Sequence, residues 1–139
     1  MITQEDIDDF MEEVNASRKP PLTVPQMVEI FAETMRQEKN IVLGATLIDE
    51  EYNEWKDVNF CRPLNKEGDI AELKELADLV YVIYGYARAR GWDLEEAVRR
   101  VHKNNIDRCV WPNGGVRYRA DGKVLKNPDA KPVDLDDLV

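Results

Sequence analysis

The sequence has 139 residues, of which 34% are charged, and its formal net charge is −9. This length allows one compact domain with a hydrophobic core and is short for two. The acidic balance argues against nucleic acid as a partner, because phosphate backbones attract clustered lysine and arginine. The opening segment is acidic and the longest apolar runs are interrupted, so we expect no signal peptide and no membrane span. Cys61 and Cys109 match no zinc spacing, which indicates free thiols and a cytoplasmic location.

The first part of the chain is predicted to be helical. A short helix over residues 4–16 ends where a pair of prolines breaks it. A second helix begins after Thr23, which is a suitable N-cap, and runs to about Lys39. Asn40 marks either the start of a new helix or a position inside a continuous one that ends near Trp55. The pattern leaves both alternatives open.

The next segments are predicted to be a loop and two further helices. Residues 57–69 contain proline, asparagine and glycine and therefore favour a polar loop. Asp69 is predicted to cap a long central helix that stops at Gly91. Asp93 is predicted to cap a last helix over residues 94–108.

The final thirty residues differ in composition from the rest. Residues 116–126 alternate around a turn and predict a small hairpin, and an extended tail follows. The expected fold is an all-α bundle of four to five helices with a carboxylate metal site and a C-terminal hairpin and tail. We expect a single domain over residues 1–139, with an N-terminal helix and linker over residues 1–22 and an irregular tail over residues 110–139.

Two acidic clusters at helical spacing are the most informative feature of the chain. They are Glu50-Glu51-x-x-Glu54 and Glu75-x-x-Asp78. At about 100° per residue, both clusters continue apolar stripes of their helices. Carboxylates are seldom buried unless they are paired or bind a metal, because removing a lone charge from water is costly. The clusters therefore predict that the carboxylates meet in a dry interior, at a site for a hard divalent cation such as Mg²⁺, which prefers oxygen ligands.

Other interpretations of the acidic clusters remain open at this point. Acidic pairs three residues apart are common on solvated helix faces, where they serve only solubility. A second possibility is an acidic helical binding or regulatory protein without catalysis, which would use its charge of −9 to bind a basic partner.

Beyond the acids, several segments resemble one enzyme family. Residues 47–54 and 75–82 resemble the ExxE and ExxD signature of the MazG-like all-α nucleoside triphosphate pyrophosphatases. Residues 101–108 are similar to the closing helix of that family, which carries an asparagine and, three residues later, a basic residue. The tail over residues 118–135 is similar to that of small bacterial and phage members related to dimeric dUTPases. The resemblance extends over residues 41–135.

The resemblance implies hydrolysis of a nucleoside triphosphate to monophosphate and diphosphate with Mg²⁺, or Mn²⁺ in its place. Carried over position by position, Glu51, Glu54, Glu75 and Asp78 are the metal ligands. Glu50 orients or deprotonates the attacking water. The expected substrate is dUTP or another noncanonical nucleotide. The alternative within the same superfamily is phosphoribosyl-ATP pyrophosphohydrolase, which shares the helical acidic core.

The resemblance also implies contacts to the substrate and an assembly. The side chains expected to bind substrate are those of Asn105, Arg108, Lys103, Lys123 and Lys126. The sequence departs from the family pattern where Gly44 replaces a frequent arginine and Arg108 replaces the usual lysine. The resemblance implies a homodimer or a dimer of dimers. A homodimer is also expected from the residues themselves, because the central helix has more apolar surface than a lone domain of this size covers.

Overall fold

Five α-helices and an irregular tail make up the computed structural model, which describes residues 1–17 and 20–139. The helices are α1 (Gln4–Ser17), α2 (Val24–Thr34), α3 (Ile41–Cys61), α4 (Lys66–Arg90) and α5 (Leu94–Cys109), and the tail ends in a short 3-10 helix, η1 (Asp136–Leu138). The predicted all-α class is confirmed. The linker predicted after α1 includes residues 18 and 19, which lie outside the described residues. Within the described ranges, no helix combines the length and the apolar composition needed to cross a membrane.

Helix α2 is shorter than predicted, because it ends at Thr34 instead of near Lys39. Its C-terminus is closed by two backbone hydrogen bonds, from Arg36 to the carbonyl of Glu33 and from the residue after Arg36 to the carbonyl of Ala32. This is a Schellman motif, in which the residue after the C-cap adopts a left-handed conformation. Arg36 does so with φ of 51°. Glycine usually marks this position, so the sequence carries no clear signal of the end.

Asn40 starts a separate helix, which decides between the two alternatives left open by the sequence. Its side-chain oxygen accepts a hydrogen bond from the backbone N–H of Leu43 at 2.9 Å. An asparagine in this position satisfies one of the backbone donors that a helix leaves unpaired at its start. Helices α2 and α3 are therefore distinct, and residues 35–40 connect them.

The prediction of a loop over residues 57–69 is wrong in its bounds, because the connection is much shorter. Helix α3 continues to Cys61, and α4 begins at Lys66. Asn65 caps α4 by accepting a hydrogen bond from the backbone N–H of Gly68 at 2.9 Å, so Asp69 lies in the first turn instead of capping it. An acidic residue in the first turn still stabilises the helix through its dipole.

Polar contacts close the hairpin that α3 and α4 form. Arg62 Nη1 lies 2.6 Å from Asp69 Oδ1, and its Nε lies 2.8 Å from Glu72 Oε2. Asn59 donates a hydrogen bond to the other oxygen of Glu72 at 2.7 Å. Arg62 and Glu72 are largely buried. These contacts compensate for the polar composition of the segment, which explains why a loop prediction fails there.

Helix α2 packs against α4 beside the hairpin. The buried apolar side chains among the described residues are Val28, Ala32 and Ala87, and they lie at this contact. Arg88 on α4 forms a double hydrogen bond with Glu29 on α2, and this bond lowers the pKa of the Glu29 carboxyl. The three helices α2, α3 and α4 thus form the packed part of the fold.

The tail packs back onto α5. Arg100 on α5 binds the carboxylate of Asp137 in η1, and the side-chain amide of Asn104 donates to the backbone carbonyl of Lys131 at 2.9 Å. Asn127 is buried. Within the described residues, α5 makes a small contact with η1 and no larger contact with any other element. The predicted hairpin is reduced to a tight turn with one antiparallel bridge, between Tyr118 and Val124.

The chain exposes much more surface than a compact monomer. Its accessible area is 11146 Å², whereas a compact protein of 16.1 kDa exposes about 7,400 Å². Exposed apolar side chains occur on every helix, among them Phe10, Ile30, Phe60, Leu73 and Ile106. A single chain therefore leaves about 3,700 Å² of surface uncovered relative to a compact fold.

Candidate metal centre

Helices α3 and α4 bring three of the predicted ligands together. Carboxylate oxygens of Glu51 and Glu54 on α3 and of Glu75 on α4 all lie within 4.8 Å of one another. Residues three apart on a helix lie on the same side, so the first two project toward α4 together. Three carboxylates at this separation match the oxygen ligands that a hard divalent cation prefers.

Two of these carboxylates have an oxygen that lacks a partner. Oε2 of Glu51 and Oε2 of Glu75 are buried without a hydrogen bond. Burial raises the pKa of Glu51, and repulsion from Glu54, Asp78 and Glu75 raises it further. Buried oxygens of this kind are costly unless a cation compensates them. The donor set therefore fits a divalent metal ion.

The acids lie at the edge of the α3–α4 contact and not in a dry interior, which corrects part of the sequence-based expectation. Glu51 and Glu75 are half-buried, and Glu54 is exposed. One side of the cluster therefore remains accessible to solvent and to a charged substrate. A cation held there keeps room for ligands other than protein, which is usual for Mg²⁺.

The fourth predicted ligand, Asp78, already has a cation beside it. Lys74 Nζ lies 2.6 Å from Asp78 Oδ2 and 3.5 Å from Glu75 Oε1, and the hydrogen bond to Asp78 raises the pKa of Lys74. The predicted site does not include Lys74. Its four-residue spacing to Asp78, usual for an ion pair on a helix, is the signal that indicates it. Asp78 lies close enough to affect Glu51 but outside the cluster of three.

Glu50, the predicted catalytic residue, is exposed on α3 next to Glu51. It is not part of the three-oxygen cluster. Adjacent residues on a helix point about 100° apart, so the Glu50 side chain points away from that of Glu51.

The structure does not join the five predicted substrate-binding residues to the carboxylates within one chain. Lys103 pairs with Asp107 at 2.9 Å, Asn105 and Arg108 are half-buried on α5, and Lys123 and Lys126 are exposed in the tail. No hydrogen bond or ion pair of the described residues links any of the five to the acids on α3 and α4. Helix α5 also makes no extensive contact with those helices in the part of the chain that the structure describes.

Comparison with known families finds a match over most of the helical part. The model of the phosphoribosyl-ATP pyrophosphohydrolase family matches residues 23–105, which include α2, α3, α4 and most of α5. All five acids of the two clusters lie inside this range, whereas the tail lies outside it. A comparison with curated proteins finds no match. The predicted relation to small dUTPase-like members, which depends on the tail, stays a prediction.

The matched range covers more than half of the chain, and its helices and carboxylates agree with what such enzymes need. The chain therefore belongs to the phosphoribosyl-ATP pyrophosphohydrolase family, part of the MazG-like all-α superfamily of metal-dependent enzymes that hydrolyse the phosphoric anhydride bonds of nucleotides.

Proposed function

We propose that the protein hydrolyses a nucleoside triphosphate between its α- and β-phosphates in the presence of Mg²⁺ or Mn²⁺, with dUTP or another noncanonical nucleotide as substrate. The observation that carries this proposal is the cluster formed by Glu51, Glu54 and Glu75, in which two buried oxygens have no hydrogen-bond partner. The family match supports the reaction class. The resemblance of the tail to dUTPase-related proteins supports the choice of substrate.

Glu51, Glu54 and Glu75 would hold the ion, and Asp78 would join them on leaving Lys74. When bound, a divalent cation neutralises phosphate charge and stabilises the departing diphosphate. The chain's own carboxylates serve to fix the position of this positive charge. Because the cluster is open on one side, triphosphate oxygens can approach it without unfolding either helix.

Glu50 would act as the general base. As the water oxygen forms its bond to the α-phosphorus, the Glu50 carboxylate accepts the proton that the water loses. The anhydride bond to the β-phosphorus breaks, and its electron pair leaves with the diphosphate. An exposed glutamate outside the ligand set is suited to this role, because its oxygens are not committed to the ion.

A second candidate substrate is phosphoribosyl-ATP. The observation in its favour is the family match over residues 23–105, which is independent of the tail. Cleavage of this compound breaks the same type of bond and uses the same carboxylates. The two candidates therefore differ in what surrounds the phosphates and not in the chemistry.

Measurement of diphosphate release across substrates tests both candidates. With Mg²⁺ present we expect release from dUTP, another noncanonical nucleotide or phosphoribosyl-ATP at a higher kcat/KM than from the canonical triphosphates, and no release when the metal is chelated. The preferred compound identifies the substrate. Release of phosphate instead of diphosphate would contradict the proposal. If no compound reacts and none binds in a metal-dependent manner by calorimetry, the non-catalytic acidic binding protein becomes the better interpretation.

We also propose that the protein is a homodimer or a dimer of dimers. The uncovered surface of about 3,700 Å² per chain exceeds what one standard interface buries per partner. Helix α5 lacks an extensive contact with α3 and α4 of its own chain, so a second copy would supply Asn105 and Arg108 to the carboxylates. Sedimentation is expected to give at least twice the chain mass of 16.1 kDa. A monomer at micromolar concentration would contradict this assembly.

A further inference from the structure

An apolar cavity of about 240 Å³ lies between α2, α3 and α4. One wall contains Phe31 and Tyr81, whose rings meet edge to face with centroids 5.9 Å apart. Leu43 and Leu47 line it from α3. Sites for whole drug-sized ligands occupy roughly 300–1,000 Å³. This cavity is smaller, and its size and aromatic wall are suited to one flat ring system.

The cavity and the carboxylate cluster lie along the same pair of helices. Leu47 lies four residues before Glu51 on α3, and Tyr81 lies six residues after Glu75 on α4. At 1.5 Å of rise per residue, these separations are about 6 Å and about 9 Å. A molecule whose phosphates lie at the carboxylates can therefore place its remaining part in the cavity.

Two glycines line the cavity, and packing explains only one of them. A Cβ atom at Gly44 would lie 3.1 Å from Cδ2 of Tyr86, so a larger residue there would require Tyr86 to shift, and glycine allows the close approach of α3 and α4. A Cβ atom at Gly85 would meet no atom within 4 Å. Glycine inside a helix is less stable than alanine. The space above Gly85 therefore has no explanation in the packing of the chain.

We propose that this cavity receives the base of the nucleotide and that Gly85 keeps it open, which makes Gly85 a specificity-determining position. The inference rests on the proposed function. Aromatic side chains stack on bases, and the Phe31 and Tyr81 rings supply such a surface.

Polar groups at the cavity can read the edge of a base. Gln37, Glu38 and Asn40 are among the lining residues. The Asn40 oxygen is already used to cap α3, so its amide nitrogen remains as a donor suited to a base carbonyl. Gln37 offers both a donor and an acceptor. Together with the aromatic wall, this combination suits a flat heterocycle better than a lipid chain.

The test compares a nucleotide with a probe that has no base. The probes are the nonhydrolysable α,β-imido analogue of dUTP and inorganic tripolyphosphate, titrated calorimetrically in the presence of Mg²⁺. For Gly85→Leu, which fills the cavity, we expect the nucleotide to bind roughly tenfold more weakly or worse, with tripolyphosphate affinity unchanged. Ala45→Leu, which adds the same side chain at an exposed position of α3, is expected to change neither affinity.

Gly85→Ala serves as a second variant, because it favours the helix and meets no clash. It is expected to weaken nucleotide binding by a smaller factor, so a folded variant is available even if the leucine variant does not fold. The inference would be overturned if the Gly85 variants bound both probes equally more weakly, or if neither affinity changed. It would also be overturned if the wild type bound the nucleotide no better than tripolyphosphate, as expected if a second copy of the chain fills the cavity. Wild-type binding without diphosphate release would instead contradict the proposed function alone.

Discussion

Glu51→Gln is expected to abolish the stabilisation of the protein by Mg²⁺ and, with it, turnover. The variant removes one carboxylate from the group of three whose oxygens lie within 4.8 Å. A ligand that binds only the folded state at about 100 times its Kd raises the free energy of unfolding by about 2.7 kcal/mol. Thermal denaturation with and without Mg²⁺ should show a gain of this order for the wild type and almost none for the variant.

Without metal, Glu51→Gln is expected to have the opposite effect on stability, because it then raises the free energy of unfolding at neutral pH. The raised pKa of Glu51 means that the folded state holds its proton more tightly than the unfolded state, whose ordinary value is 4.5. The contribution of this group to stability therefore falls as pH rises from 4.5 through the raised value of the folded state. At neutral pH, metal-free Glu51→Gln is expected to be more stable than wild type.

Glu13→Gln is the matched control for this experiment, since it removes the same charge from an exposed position on α1. It should leave both the gain from Mg²⁺ and the pH profile unchanged. If Mg²⁺ stabilises Glu51→Gln as much as it stabilises the wild type, the carboxylate cluster is not the metal centre.

Glu50→Gln is expected to lower kcat by a factor of about 10²–10⁴, the usual contribution of a general base. Glutamine has nearly the same shape but does not accept the proton of the attacking water. Because Glu50 lies outside the three-oxygen cluster, the affinities for Mg²⁺ and for a nonhydrolysable nucleotide should stay close to those of the wild type. Single-turnover kinetics combined with calorimetry separates these two effects.

The neighbouring variant Asp49→Asn controls for a general loss of negative charge, because Asp49 is also exposed on α3. Its kcat should remain within a few fold of the wild-type value. Glu50→Gln with near wild-type turnover would remove the proposed role, and an equal loss in both variants would attribute the effect to the local field instead of to proton transfer.

The helices could be predicted from the sequence where strong local signals mark their ends. Thr23, Asp93 and Gly91 act at the ends of helices as their residue types indicate. The prediction fails where the signal is absent or misleading. Arg36 ends α2 in a left-handed conformation that glycine usually takes, and Arg62 stabilises a helical connection by ion pairs that only the folded hairpin brings together.

The convergence of Glu51, Glu54 and Glu75 could be predicted because helical spacing fixes which side of each helix they share. The depth of the cluster could not, since burial depends on how far apart the axes of α3 and α4 lie. The position of α5 is also not encoded locally, because its contacts are with distant residues of the tail and, as we propose, with a second copy. The cavity beside Gly85 requires three helices from separate parts of the chain and leaves no local pattern.

Lys74 gives the ligand-free protein a resident countercharge. If metal uptake recruits Asp78, as we propose, it would be an exchange of cations, in which the ammonium group of Lys74 moves out to water as the ion enters. Since Lys74 is largely exposed, the ion pair that breaks is screened by solvent and is weak. Lys74 would thus reduce the repulsion among the carboxylates when no metal is bound. Because its ion pair with Asp78 is weak, it would compete little with the metal ion for that carboxylate.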